Sequence, residues 1–154
     1  MVFCGKQSES GLTLLEVMFI LIVLGILGLI AAPRIEPVLA RQRLASDAQK
    51  ICWTLRDNRE RSIASGSPQS VEFFLYGSSY RLLPNGTLCQ LSGGISYDFI
   101  SIPKNEHNRI LLSYNILGTP SQGGTIALKN NFGDKKYIVI TPVIGRVRVS
   151  DTPP

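Results

Sequence analysis

The chain has 154 residues, 44% of them hydrophobic and 18% charged, with 16 Lys and Arg against 11 Asp and Glu for a formal net charge of +5. Its three cysteines form no CxxC pair and its single histidine, His107, lies in the polar run PKNEHNR, so a zinc site, a dithiol redox site and histidine-based catalysis all lack their residues. Once the apolar N-terminal stretch is set aside, roughly 120 residues remain, which is one domain with one modest core.

Residues 1–11, MVFCGKQSESG, are polar and carry one lysine, Lys6, offset by Glu9. Residues 17–32 then run for 16 positions without a polar side chain, and counting from Leu12 gives 21, about 31 Å of helix and enough to span a bilayer. Glu16 stands about one turn inside this run, where an unpaired carboxylate costs a few kcal/mol or more. A secretory signal places its basic region and apolar core before a small-residue cleavage site. Here Gly11 precedes the apolar core, which is the reverse order.

Gly11, Thr13, Glu16 and Pro33 together resemble the N-terminal segment of type IV prepilins and type II secretion pseudopilins. In that family a short polar leader ends in glycine, followed by threonine and glutamate at the second and fifth mature positions and a proline at the twenty-second. The resemblance implies that prepilin peptidase cuts between Gly11 and Leu12, that Leu12 is then N-methylated, and that Glu16 and Pro33 serve assembly. The Glu16 carboxylate would face the charged amine of a neighbouring subunit, and opposite charges at low dielectric attract strongly enough to fix the stagger between helices. It further implies a single-pass protein of the bacterial inner membrane, with its C-terminal domain in the periplasm and other pilins or pseudopilins as partners. The positive-inside rule alone, counting Lys6 against Arg34, Arg41, Arg43 and Lys50, predicts the opposite orientation. The resemblance overrides it.

After Pro33 and Pro37, which bend a helix whose pattern resumes on both sides, apolar residues return at helical spacing. Val38, Ala45, Ala48, Cys52, Leu55 and Ile63 form a stripe, widened by Leu44, Ile51 and Ala64. Arg41, Lys50, Asp57, Arg59 and Arg61 take the opposite face. The helix is predicted to stop at Gly66, in SGSP, which gives one helix of about 50 residues in all.

Beyond Gly66 the apolar period becomes two, with turn residues between short runs, so antiparallel strands are predicted. VEFFLY and SYRLLP are joined by PNGT to TLCQL. ISYDFISI, RILLSYNI, TIALKN, YIVITP and RVRVS follow, a pattern read as about seven strands. The predicted fold is α+β, organised as leader 1–11, membrane helix 12–33, amphipathic continuation 34–66 and β-rich domain 67–154. GTPSQGGTIAL, a polar turn, YIVI and a terminal GRVRV, together with RSIASGSPQSVEF at the helix end, are similar to the GspH/FimT family of minor pilins and pseudopilins. That family has a long N-terminal helix packed on a β-rich domain.

Arg146 and Arg148 are two apart on a strand and share one face, about 6.6–7 Å apart, while Val147 and Val149 take the core side. Two readings of this pair stand. One is a solvated edge strand whose charges prevent sheet-to-sheet pairing. The other is a phosphate clamp aided by Lys129, Lys135 and Lys136. In FimT-like minor pilins a GRxR motif is associated with DNA capture. The resemblance therefore implies non-specific backbone binding of double-stranded DNA for natural transformation, the alternative being a GspH-like pseudopilin of type II secretion.

Cys4 falls in the leader, which leaves Cys52 and Cys89. Outside the cytoplasm these two pair as a disulfide, or else stay as buried free thiols. A bridge closing that loop would contribute about 3–4 kcal/mol. No cofactor, metal or enzymatic activity is expected: Gly93-Gly94 and Gly123-Gly124 precede strands rather than helices and make no phosphate cradle. Trp53 is read as a packing residue.

Overall fold

A computed structural model describes residues 13–31, 35–105 and 107–153. The chain divides into two compact units, Met1–Glu36 and Pro37–Pro154. The leader, Leu12 and Pro33 lie outside the described residues.

Helix α1, Leu14–Ala31, has Glu16 as its one charged residue. Thr13 caps it: its Oγ1 accepts the Glu16 backbone N–H at 3.3 Å, which places Glu16 at the third position of the first turn. The large apolar side chains described in this helix are all exposed, from Val23 at 38% to Leu14 at 81%. Among the described residues no helix is long and apolar enough to cross a membrane. The 18 residues of α1 rise only about 27 Å, a few Å short of a hydrocarbon core of about 30 Å.

Helix α2 is Ile35–Ser65. The single helix of about 50 residues is thus described as two, and whether they join falls on residues 32–34, outside the description. Pro37 sits in the first turn of α2, where its missing N–H has no intrahelical partner to lose. The helix ends where predicted, at Gly66 with φ +60. Its buried face is rotated from the predicted stripe: Leu44, Ala48, Ile51, Cys52 and Leu55 are buried, but Val38, Ala45, Ile63 and Ala64 are exposed. The buried face also takes in Asp47, Asn58 and Ser62, each of which has a hydrogen-bond partner. Asp47 accepts the Ser92 N–H and hydroxyl at 2.7 and 3.0 Å, Asn58 donates to the Thr54 carbonyl, and Ser62 to that of Arg59.

All eight predicted apolar runs form strands, so the count is eight rather than about seven. They are β1 Gln69–Phe74, β2 Ser79–Leu83, β3 Thr87–Gln90, β4 Ile95–Ile100, β5 Ile110–Tyr114, β6 Gly124–Asn130, β7 Lys135–Ile140 and β8 Val147–Ser150. They make two antiparallel sheets, β3-β2-β1-β5 and β4-β6-β7-β8. The chain lays down three strands of the first sheet, crosses for β4, returns for β5 and finishes the second sheet. Alternation buries Val71, Phe73, Tyr80, Leu112 and Tyr114 from one sheet and Ile95, Tyr97, Ile126, Leu128, Ile138, Ile140 and Val147 from the other, in one cluster with the buried face of α2. Phe73 packs edge-on to Tyr97 at 6.3 Å, and the Tyr97 hydroxyl donates across to the Ser79 carbonyl at 3.2 Å, tying the sheets together.

Candidate anion-binding groove

The two arginines of GRVR stand where alternation predicts. Val147 is buried, Val149 packs half-buried against the core, and Arg146 and Arg148 are exposed. The turn before β8 aims them. The Thr141 N–H donates to the Arg146 carbonyl at 2.9 Å, and the Ile144 N–H to the Pro142 carbonyl at 2.8 Å, around Val143 with φ +69. That is a left-handed γ-turn, rare and strained for a β-branched residue. Gly145 has φ +67, and a Cβ there would stand 3.1 Å from the Gly118 carbonyl oxygen and 3.2 Å from Arg59 Nε, so both conformation and space call for glycine.

β8 is an edge strand, and α2 covers its edge. Arg56 Nη2 donates to the Val147 carbonyl at 2.7 Å, and the Cys52 thiol points at the same oxygen at 3.7 Å. Arg59 Nε donates to the Gly118 carbonyl at 3.0 Å. A groove of about 370 Å³ results between α2 and the β7–β8 turn, lined by Arg56, Arg59, Glu60, Ile144, Gly145, Arg146 and Val147. Sequence reasoning missed two of these: Arg59 was placed on the solvent face and Arg56 on none. The rotation of the helix, set by which apolar residues it buries, turns both toward β8. Their spacing of three along a helix was the available signal. Trp53, expected in the packing, is 61% exposed, with the Arg56 guanidinium 5.6 Å from its ring centre.

The three lysines do not join the arginine pair. Lys129 and Lys135 face each other across β6 and β7, beside the turn between those strands, whereas Arg146 stands opposite Thr141 at the other end. Six strand residues from Lys135 to Thr141 put about 20 Å between the two ends. Each lysine is also paired with an acid. Asp98, at a bulge in β4, takes Lys135 at 2.7 Å and Lys129 at 3.2 Å, and Asp151 takes Lys136. The hydrogen bond from Lys135, followed by that from Lys129, holds the Asp98 carboxyl below its usual range despite partial desolvation, and Lys135 is correspondingly raised.

The disulfide is not formed: Cys52 and Cys89 are both free. Cys52 sits under the second sheet against Val147, whereas Cys89 lies in β3 of the first sheet, opposite Tyr80. Burial pushes the Cys52 thiol pKa up, with Arg56 opposing, so it stays protonated and unreactive. His107 is exposed, and its backbone N–H is taken by the Asn105 side chain. Among the described residues no group of three or more His, Cys, Asp or Glu is placed to hold a metal. A second groove, about 600 Å³, lies on the outer face of the first sheet, where buried Glu72 sits between Arg81 at 3.7 Å and Arg109 at 3.6 Å.

The fold has solved counterparts. The minor pseudopilin EpsH from the type 2 secretion system of Vibrio cholerae superposes with a TM-score of 0.56 at 14% identity, over 70% of this chain and 96% of that one. The type IV minor pilin FimU of Pseudomonas aeruginosa does so with TM-scores of 0.51 and 0.52 in two crystal forms, at 15% identity, over 73% and 70% of this chain and 90% and 92% of that one. The chain has the minor-pilin fold. No family model matches the sequence, and no curated protein matches it either. At this identity the likeness is one of architecture. Within the minor-pilin fold of this chain, the arginine groove is what its own side chains add.

Proposed function

We propose that the chain is a minor pilin of a type IV pilus. It is processed between Gly11 and Leu12 by prepilin peptidase and methylated at Leu12. Its N-terminal helix holds it in the bacterial inner membrane with the C-terminal domain in the periplasm. The observation that carries this reading is α1, apolar on every side except at Glu16 and with its large side chains exposed in the single chain, attached to a domain of minor-pilin fold. Such a helix needs lipid or neighbouring helices to cover it. In a filament those neighbours are other pilins, and Glu16 finds its counter-charge on the next subunit, with Pro33 also serving assembly. The protein is a structural and binding subunit with no enzymatic activity or cofactor.

Arg146 and Arg148 bind the backbone of double-stranded DNA without sequence preference, for uptake in natural transformation. Phosphate neutralisation by paired arginines accounts for such binding, and it weakens steeply with salt. The pseudopilin reading keeps the support of the likeness to EpsH. Deleting the gene and assaying transformation beside type II secretion separates the two: loss of DNA uptake with normal secretion is expected, and the reverse pattern would make the chain a pseudopilin.

A further inference from the structure

We propose that bound DNA lies in the groove between α2 and the β7–β8 turn, with Arg56 and Arg59 contacting phosphates beside Arg146, so that the helix forms the second wall of the site. This rests on the DNA-binding reading above.

The first argument is which cations are available. Lys129, Lys135, Lys136, Arg41, Arg61, Arg81 and Arg109 each have a carboxylate within 4.0 Å. Among the described residues Arg43, Lys50, Arg56, Arg59, Lys104, Arg146 and Arg148 have none, and of these Arg56, Arg59 and Arg146 line one groove. A cation already paired must give up its acid before it can neutralise a phosphate, so the unpaired arginines gathered at this groove are the ones placed to release counterions together.

The second argument is preorganisation. Arg56 and Arg59 each spend one N–H on a backbone carbonyl, at 2.7 and 3.0 Å. A guanidinium carries five N–H donors, so most of each fork remains for a phosphate. Arg56 is further held against Trp53. Side chains fixed in this way lose less freedom on binding than free surface lysines do.

The third argument is how the wall is built. The carbonyls that anchor the two arginines belong to Val147 and Gly118, and Gly145 packs against the second of them. The glycine of GRVR therefore lets the strand approach α2 closely enough for its arginines to share a groove with those of the helix.

Glu60 lines the same groove and opposes an anion there. It supplies a test that misfolding cannot imitate, because removing its charge should strengthen binding. Salt titrations of the full chain in detergent against a 20-base-pair duplex would compare wild type with R146Q/R148Q, R56Q/R59Q, R56K/R59K and Glu60→Gln, with circular dichroism as the folding control. Each arginine pair changed to Gln should flatten the slope of log affinity against log salt by about 1.8 and weaken binding about tenfold per residue. The lysine variant should keep most of the slope. Glu60→Gln should tighten binding about 3- to 5-fold at low salt. If R146Q/R148Q flattens the slope while R56Q/R59Q and Glu60→Gln match wild type, the helix wall is refuted and the strand clamp stands. If wild type does not bind the duplex, or if no variant alters binding, the DNA reading itself falls with it.

Discussion

Asp98 takes two of the three lysines that the sequence grouped with the arginine pair, and in doing so it becomes a pH-sensitive contact. Lys135 and then Lys129 hold its carboxyl below the usual range. A carboxyl whose pKa is lowered by folding adds stability above its unfolded pKa, near 3.9, and loses it as the pH falls through the folded value. Asp98→Asn should therefore melt at a lower temperature than wild type at neutral pH. The gap should close between about pH 5 and pH 2 as wild type gives up the contact. Thermal scans across that range check it, and parallel curves would mean the pair contributes nothing. The GRVR motif was legible in the sequence because strand alternation alone places its residues. The lysine grouping was not, because proximity along the chain does not say which end of a hairpin a residue occupies or which acid a bulge delivers to it.

At the level of elements, the helical character of the apolar N-terminal run was legible, and residues 14–31 form α1. The structure adds a second role for Thr13 and Glu16, as the cap and third residue of α1, so the register that resembles a prepilin is also a good helix start. The end of α2 at Gly66 was legible too, from a left-handed residue with a proline soon after it. The rotation of α2 was harder. Its buried face includes Asp47, Asn58 and Ser62, which hydrophobic patterning discards, and dropping them turned the predicted stripe toward Ala45 and Ile63. The error carried Arg59 to the wrong side. It left Cys52 where the stripe put it, buried on α2, with Cys89 in β3 and both thiols free. Unfolding the chain in an alkylating reagent without reductant should label both thiols. Recovery of a linked Cys52–Cys89 peptide would contradict this placement.

For the whole molecule, antiparallel strands were readable from the period of two, but their order was not. The crossing of β4 into the second sheet, followed by the return of β5 to the first, leaves no local trace, because either sheet offers each strand an apolar face to cover. What the two units share is a surplus of unmet surface: an apolar helix in one and a groove lined by unpaired arginines in the other. A filament subunit that also holds a polyanion accounts for both. The central claim, that α1 assembles this chain into a filament after cleavage at Gly11, is tested most directly by mass spectrometry of sheared filaments, quantifying the chain and its N-terminal peptide for wild type and Glu16→Ala. The account predicts a wild-type peptide that begins at N-methylated Leu12, and a Glu16→Ala chain that is cleaved in the cell but depleted from the filament fraction. A filament chain that retains residues 1–11, or a Glu16→Ala chain present at wild-type abundance, would contradict it.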